Sequence, residues 1–300
     1  MTTTPALQEL IATELAMPVP APLAAIGEAA RRRHGPAVAA VLIYGSCLRD
    51  GDDDGKIVDL YLLVDDYRSI HANPLSRLLN AWLPPNVYYL QTPFAGRIVR
   101  AKYAIVSLGQ FERLVAPATF HSYFWARFAQ PAALSWARND AIAARVAAAL
   151  AQAVETLIDS ARPLGRPDDD DEAVWVRAFS LTYGSELRSE RPERAREVWA
   201  AGAPRYRRIG EILRITSGGD AGAARAGRRR WRLRRAVGKG LSVLRLIKAA
   251  FTFADGPAYL AWKISRHSGV EVTLTPWQQR HPLLAAPTLF WRLYRKGAFR

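Results

Sequence analysis

The sequence predicts an α+β protein, with a mixed β-sheet core and helices, followed by a mostly helical domain and a basic helical tail. Short β-prone runs alternate with helical segments in the first 135 residues. Helix-periodic segments then fill residues 136–220, and the positive charge is concentrated in residues 221–300. We therefore expect a sheet core at 1–135, a helical second domain at 136–220 that resembles a winged helix, and a basic, aromatic-rich region at 221–300.

The core shows the punctuation of alternating strands and helices. Leucines recur at helical spacing between residues 74 and 82, and the Pro84-Pro85-Asn86 turn signal follows them. The predicted elements, in order, are helices at 5–14 and 23–33, strands at 41–44 and 57–64, a helix at 74–82, strands at 87–91 and 97–107, and a helix from 110. A dense aromatic cluster at 119–128 is typical of a segment that packs into the core.

The second region has the pattern of a helical domain. Helices are predicted at 139–160, 172–188 and 191–214. A Pro/Gly/Asp-rich loop at 163–171 separates the first two, and its aspartates are expected to cap the following helix. Ser217-Gly218-Gly219 indicates the boundary to the third region.

The charge distribution indicates an anionic partner. The net charge is +15, and 17 of the 42 Lys and Arg residues but only two of the 27 Asp and Glu residues lie between 221 and 300. Residues 225–248 hold ten bases and no acid, and Trp262, Trp277, Trp291 and Tyr294 are interspersed with further bases. Bases interleaved with Trp and Tyr suit single-stranded nucleic acid and an anionic membrane surface equally well, so composition leaves both open.

Cysteine content and hydropathy limit the class of protein. The single cysteine, Cys47, excludes a disulfide framework and fits a reducing compartment. The first twenty residues lack a basic segment followed by a long apolar run, and uncharged runs stay below the roughly 18 residues that a membrane span needs. We therefore expect no signal peptide and no transmembrane helix, and a protein that is soluble or peripheral.

The stretch from Val41 to Asp66 predicts a phosphate and metal site. Its two apolar runs flank a Gly/Asp-rich loop, with Gly45-Ser46 at the end of the first strand and Asp59 inside the second. A Gly-Ser turn offers backbone N–H groups and a hydroxyl to phosphates, and Mg²⁺ takes carboxylates plus phosphate oxygens. Two residues on either side of Asp59 stand Ile57 and Tyr61, so a second carboxylate must come from elsewhere. The candidates are Asp65, the run Asp52-Asp53-Asp54, or a residue distant in sequence.

Five blocks of sequence carry a resemblance to a known family. The chain resembles the mitochondrial translocator assembly and maintenance family of phosphatidate cytidylyltransferases, which are peripheral CDP-diacylglycerol synthases of the nucleotidyltransferase superfamily. The blocks are Tyr44-Gly45-Ser46; Val58-Asp59-Leu60 with Asp65-Asp66 and His71; Lys102-Tyr103 with Val106-Ser107; Ala126-Arg127 with Gln130-Pro131; and Leu181 to Arg188. They cover roughly the first two-thirds of the chain in the family's order. Two departures are Cys47, where glycine is common, and Glu186, where the family has the shorter Asp.

The resemblance implies a Mg²⁺-dependent transfer of CMP from CTP to phosphatidic acid, at the cytoplasmic side of a membrane to which the protein binds peripherally. It implies that Tyr44, Gly45 and Ser46 hold the triphosphate, that Asp59 binds Mg²⁺, and that Glu186 or Asp65 supplies the second metal ligand. Lys102, Arg127 and Arg188 are expected to offset phosphate charge, with Lys102 and Glu186 taking part in catalysis. His71 is expected to contact the nucleotide.

Other interpretations stay open from the residues alone. Lys102 is equally typical of a strand edge, His71 of a polar residue before a helix, and Arg188 of a surface partner for Glu186 or Glu190. A nucleotidyltransferase acting on RNA or a small alcohol would use the same site with a different acceptor. A non-catalytic basic protein that binds nucleic acid or lipid is the third possibility.

Overall fold

A single mixed β-sheet forms the centre of the protein. The computed structural model describes residues 3–51, 55–186, 191, 193–214, 221–252, 275 and 277–278. Strands β1 (Val38–Tyr44), β2 (Val58–Val64), β3 (Asn86–Phe94), β4 (Arg97–Ser107) and β5 (Ala132–Ala137) join in the order β3-β4-β2-β1-β5. Strands β2 and β4 run parallel, and every other neighbouring pair is antiparallel. The predicted α+β class and mixed sheet are confirmed.

Ten α-helices accompany the sheet in the described residues. They are α1 (Pro5–Leu15), α2 (Ala21–His34), α3 (Ser46–Asp50), α4 (Pro74–Trp82), α5 (Leu108–Val115), α6 (Trp125–Phe128), α7 (Asp140–Ala161), α8 (Asp171–Tyr183), α9 (Arg194–Leu213) and α10 (Ala221–Thr252).

The two faces of the sheet carry separate hydrophobic cores. On β2, Leu60 and Leu62 pack on one face and Tyr61 and Leu63 on the other, because successive side chains of a strand point in opposite directions. Helix α2 covers the first face, crossing all five strands. The second face is covered by a thicker layer of helices that includes α1, α5, α6, α7, α8 and α9. A cavity between sheet and helices can therefore form only at the margin of this second layer.

Helix α7 is the central helix of that layer. Asn139 caps it by accepting a hydrogen bond from the Ile142 N–H at 2.9 Å. In the described residues, the segment Asp140–Leu164 is the one helix long and apolar enough to cross a membrane, but 61% of its most apolar window is buried inside the protein. Length and composition alone are weak grounds for a membrane span, because the core helix of a soluble protein has the same properties. Here the apolar side chains are used in packing against α1, α5, α6 and α8.

Helix α10 contains all of the basic run at 225–248 and packs against the rest of the protein through some of those bases. Arg234 donates from Nε to the Phe120 carbonyl at 2.6 Å, and Arg245 donates from Nε to the Pro84 carbonyl at 2.9 Å. Lys248 Nζ donates to the carbonyls of Leu83 and Pro85 at 2.5 and 2.6 Å. These three cations hold the helix in place, so only the remaining bases are available to a partner.

Most predicted elements are confirmed, with small shifts at their ends. The helix at Pro74–Trp82 and the strand at Arg97–Ser107 have the expected bounds. The aromatic cluster is buried as predicted, although only Trp125–Phe128 is helical. Strand β5 and helix α3 were not predicted, and the boundary expected at residue 135 falls inside β5. The boundary at 217–219 and most of the tail lie outside the described residues.

Candidate active site

Three neighbouring strands bring a tyrosine, an aspartate and a lysine into one row. Tyr44 on β1 is paired with Asp59 on β2, and Asp59 is aligned with Lys102 on β4. Lys102 Nζ lies 3.6 Å from Asp59 Oδ1, and both side chains are about one-third exposed. The row stands on the face of the sheet that carries the thick helical layer. The carboxylate therefore faces neighbouring polar groups rather than hydrophobic packing.

The Gly45-Ser46 turn lies directly beside this carboxylate. Gly45 has φ +89°, a conformation that side chains with a Cβ rarely adopt. A Cβ built on Gly45 would approach Asp59 Oδ2 to 3.2 Å. Glycine is thus required twice over, by the backbone conformation and by the closeness of the turn to Asp59. Ser46 begins the short helix α3, which takes the chain away from the sheet.

Arg127 on α6 lies above the tyrosine end of the row. Its guanidinium is 4.2 Å from the ring centre of Tyr123 and 5.8 Å from that of Tyr44, and Nη1 donates to the Tyr123 carbonyl at 2.9 Å. Its Nη2 lies 3.6 Å from Glu186 Oε1. Burial, reinforced by the Asp59 carboxylate, raises the pKa of the Tyr44 phenol well above its ordinary value. Tyr44 is therefore a neutral hydrogen-bonding group next to a fixed cation.

Helices α8 and α9 close the site from the other side. Glu186 follows the C-terminal end of α8, where its N–H donates to the Tyr183 carbonyl at 3.1 Å. Helix α9 is kinked at Gly202, which leaves the helical conformation two residues before Pro204, and proline lacks the N–H that continues a helix. A Cβ at Gly202 would approach the Tyr206 ring to 2.8 Å. The kink lets Tyr206 pack against the cavity wall.

These groups enclose a cavity of about 570 Å³. That volume lies within the range of small-molecule sites, roughly 300–1,000 Å³. Among the described residues, the charged groups that line it are the carboxylates of Asp59 and Glu186 and the guanidinium groups of Arg49, Arg127 and Arg194. The remaining lining residues are Tyr44, Gly45, Ser46, Leu48, Ala126, Gln130, Pro131, Thr182, Tyr183, Val198, Ala201, Gly202 and Tyr206. The cavity combines carboxylates for a cation with guanidinium groups for an anion.

Most of the predicted site residues meet in this cavity. Six of them line it: Tyr44, Gly45, Ser46, Asp59, Arg127 and Glu186. A seventh, Lys102, lies beside the lining residue Asp59. They come from segments that are up to about 140 positions apart in the sequence. The shared location of these segments is a property of the fold that spacing alone does not predict.

Asp65 does not belong to this group, which corrects its prediction as a metal ligand beside Asp59. It follows the last residue of β2, whereas Asp59 is near the first. Six residues of a strand span roughly 20 Å. Asp65 instead accepts hydrogen bonds from both terminal nitrogens of Arg138 at 2.7 Å, and this hydrogen bonding lowers the pKa of its carboxyl. It joins the end of β2 to the end of β5.

His71 is also absent from the cavity, which corrects its prediction as a nucleotide contact. The ring is buried between Tyr67, Asn80 and Tyr88. Asn80 uses its oxygen to accept from the Asn86 N–H, so its amide nitrogen donates to His71 Nε2 at 3.2 Å. Burial, together with nearby positive charges, lowers the pKa of the imidazole to about 4. His71 is a neutral packing residue that holds α4 against the sheet.

Some predicted residues lie outside the described part of the chain, and two arginines of the cavity were not predicted. Arg188 and the Asp52-Asp53-Asp54 run lie outside the described residues, so their predicted roles stay predictions. Arg49 and Arg194 line the cavity but were not predicted. Arg49 lies 3.5 Å from Asp50, and Arg194 donates to Glu197 at 3.0 Å. Arg49 was detectable as a base three residues after the Gly-Ser turn, whereas Arg194 resembles every other arginine of its helix.

The donor set fits one magnesium ion held jointly by protein and substrate. Within the described part of the chain, no three His, Cys, Asp or Glu residues cluster as a metal cage would require. Mg²⁺ is commonly held by one or two carboxylates plus substrate phosphates. Asp59 on β2 and Glu186 just after α8 both line the cavity, so two carboxylates are available to a metal ion that also binds substrate phosphates.

Comparison with known proteins adds no family assignment. No family model matches the chain, and no curated protein does.

Proposed function

We propose that this protein is a phosphatidate cytidylyltransferase of the nucleotidyltransferase superfamily. With Mg²⁺ it transfers CMP from CTP to phosphatidic acid and releases CDP-diacylglycerol and pyrophosphate. The observation that carries the proposal is the convergence of four separate sequence blocks on one cavity: Tyr44-Gly45-Ser46, Asp59, Ala126-Arg127 with Gln130-Pro131, and Thr182-Tyr183 with Glu186. The remaining block, which begins at Lys102-Tyr103, supplies Lys102, whose Nζ lies 3.6 Å from Asp59 Oδ1.

The domain organisation is part of the same proposal. Residues 1–135 form the nucleotidyltransferase core, 136–220 the helical second domain, and 221–300 the basic region that meets an anionic membrane. The cavity lies between the sheet and helices α6, α8 and α9, so core and second domain both contribute walls. A resemblance to a winged helix stays a prediction; the described residues between Asp140 and Leu213 form helices joined by loops and turns, without a strand.

The chemistry asked of the site is alignment and charge neutralisation. A phosphate oxygen of phosphatidic acid attacks the α-phosphorus of CTP; the new P–O bond forms as the bond to the bridging oxygen of pyrophosphate breaks. The attacking group is already anionic, so no strong general base is needed. Bound Mg²⁺ would neutralise phosphate charge and hold the triphosphate in a fixed orientation.

The protein's own side chains have distinct roles in this scheme. The Gly45-Ser46 turn offers a backbone without bulk and a hydroxyl to the triphosphate. Asp59 and Glu186 are the carboxylates that would hold the metal ion. Arg127 is kept in place by Tyr123 and Glu186, so it stabilises phosphate charge without a large loss of side-chain entropy. Lys102 supplies a second cation next to Asp59.

The basic helix α10 supports a lipid acceptor. Its exposed bases lie outside the cavity and carry no neighbouring acid within the helix. An anionic bilayer attracts such a surface and contains the phosphatidic acid that the reaction needs. We therefore propose a peripheral location on the cytoplasmic side of a membrane.

A pyrophosphate-release assay tests the proposal. Purified protein with CTP, Mg²⁺ and phosphatidic acid vesicles is expected to release pyrophosphate and to form CDP-diacylglycerol, with UTP, ATP and GTP as tests of base preference. Parallel reactions contain RNA or a small alcohol in place of the lipid. Turnover with RNA or the alcohol but not with phosphatidic acid would replace the acceptor in this proposal, and no turnover with any acceptor would overturn it.

Replacing Gly45 with alanine tests the closeness of the turn to Asp59. Both Gly45→Ala and Gly51→Ala place a Cβ at a positive φ, of +89° and +67°. Gly51 lies in the left-handed helical region, whereas Gly45 has ψ −159° and lies in a region essentially restricted to glycine. We expect a loss of about 1–2 kcal/mol in the free energy of unfolding at position 51 and of about 1–3 kcal/mol at position 45, measured with urea. Only the Cβ at position 45 meets Asp59, at 3.2 Å from Oδ2, so the carboxylate must shift by a few tenths of an ångström, and turnover should fall by about tenfold in that variant alone. Equal turnover in the two variants would contradict the proposed role of the turn.

A further inference from the structure

Helix α4 exposes an apolar face that the core does not use. Leu75, Leu78 and Trp82 follow the i, i+3, i+7 spacing of one helix face, and they are 55%, 49% and 83% exposed. The opposite side of the helix is fixed by the buried Asn80. Three large apolar side chains on one short helix are more than the scattered single exposures of an ordinary surface.

The C-terminal half of α10 carries a second exposed apolar group next to this face. Val243, Leu244, Leu246 and Ile247 are all exposed. On the inner side of the same turns, Arg245 and Lys248 donate to the carbonyls of residues 83, 84 and 85, which directly follow Trp82. These hydrogen bonds fix the C-terminal half of α10 against the segment that directly follows α4.

The charged residues of these two helices have a single sign. The N-terminal half of α10 exposes seven Arg and Lys residues between positions 225 and 239. Neither α4 nor α10 contains an Asp or Glu. The one base of α4, Arg77, donates to the carbonyls of His71 and Ala72. The surface thus combines an aliphatic and aromatic patch with an adjoining cationic strip.

We propose that the α4 face formed by Leu75, Leu78 and Trp82 inserts into the interface of an anionic bilayer, beside the exposed apolar end of α10. The cationic strip of α10 then lies on the lipid headgroups. Trp and Leu at the headgroup boundary, with bases alongside, are the composition that such interfaces bind. Nucleic acid would use the bases but leave the aliphatic side chains in water, since stacking on bases needs aromatic rings. The biological meaning of this inference rests on the proposed function, because the bilayer would contain the phosphatidic acid that the proposed reaction uses as its acceptor.

Vesicle flotation tests this surface without substrates. The vesicles are phosphatidylcholine with or without phosphatidylglycerol, and CTP and phosphatidic acid are omitted. The variant combines Leu75→Ser, Leu78→Ser and Trp82→Ser; the control is Met17→Ser, which changes an exposed apolar residue on another part of the surface. We expect the triple variant to lose about tenfold or more in affinity for the anionic vesicles, which corresponds to about 1.4 kcal/mol. The control should bind as the unmodified protein does.

A second measurement keeps the test independent of protein stability. The exposed positions should leave the midpoint of urea unfolding nearly unchanged, since surface substitutions usually alter stability by less than about 0.5 kcal/mol. Quenching of tryptophan fluorescence by brominated lipids should decrease in the single variant Trp82→Phe.

Unchanged vesicle binding by the triple variant would overturn the inference. So would a change from dimer to monomer in sedimentation, because the face would then bind a second copy of the chain. Failure of the proposed function leaves this test valid, because no turnover is measured.

Discussion

Replacing Asp59 with asparagine is expected to reduce pyrophosphate release from CTP and phosphatidic acid by at least about a thousandfold. The substitution keeps the size of the side chain but removes the charge that faces the cavity and Lys102. In the proposed reaction the carboxylate would be an anionic oxygen ligand of the metal ion, and a neutral amide is a much weaker ligand. Initial rates at saturating CTP and Mg²⁺ measure the effect.

Asp65→Asn is the matched control for this substitution. Asp65 is an aspartate at the other end of the same strand, and its partner is Arg138 rather than the cavity. We expect turnover close to that of the unmodified protein and a modest loss of stability from the broken ion pair. If Asp59→Asn retains normal turnover, Asp59 has no part in the mechanism. If Asp65→Asn is as inactive as Asp59→Asn, the loss of turnover does not depend on whether the carboxylate lies in the cavity, and the proposed role of Asp59 is contradicted.

Replacing Gly238 with alanine is expected to displace helix α10 from the back of the site. A Cβ at this position would lie 2.4 Å from the carbonyl oxygen of Ser185, a distance that forces the backbones apart. Overpacking of this kind costs about 1–3 kcal/mol. Because Glu186 directly follows Ser185, turnover should fall along with the urea midpoint. The change is also expected to increase cleavage of α10 by trypsin at its arginines, since a displaced helix is more accessible.

Gly240→Ala provides the control on the same helix. In the part of the chain that the structure describes, no atom beyond the helix's own neighbouring backbone lies within 4 Å of a Cβ built at Gly240. Alanine is favoured over glycine in a helix by about 0.5–1 kcal/mol, so this variant should be as stable as the unmodified protein or more so. The opposite signs of the two stability changes are the diagnostic result. A stabilising effect at both positions would show that α10 does not approach Ser185 closely in solution.

The sheet was largely predictable from sequence because its strands have strong local signals. The run at 97–107 alternates apolar and polar residues, and Ala95-Gly96 provides a turn with positive φ before it. Strand β5 was missed because Ala132 to Ala137 contains three alanines and no β-branched residue. Its pairing with β1 comes from tertiary context, which no local pattern encodes.

The site was only partly predictable, and the errors have one physical origin. Tyr44, Gly45 and Asp59 were recognised because they are close in sequence and their spacing fits a strand, a turn and a strand. Asp65 and His71 satisfied the same kind of spacing, but the direction of β2 and the packing of α4 place them elsewhere. Gly202 and Tyr206 lie at a helix kink, and the pattern of the surrounding charged helix gives no indication that this part of the helix lines the cavity.

The bases of α10 fall into a group bound to backbone carbonyls and an exposed group, and this division affects how reversibly the protein can bind an acidic surface. Arg234, Arg245 and Lys248 are bound to backbone carbonyls in places that counterions do not reach, whereas the outward bases are exposed to the electrolyte. At physiological ionic strength, electrostatic attraction falls off over about 8 Å in water but persists between buried groups. A rise in salt should therefore detach the protein from an acidic surface while its architecture stays intact. The same helix can act as a permanent part of the molecule and as a releasable contact.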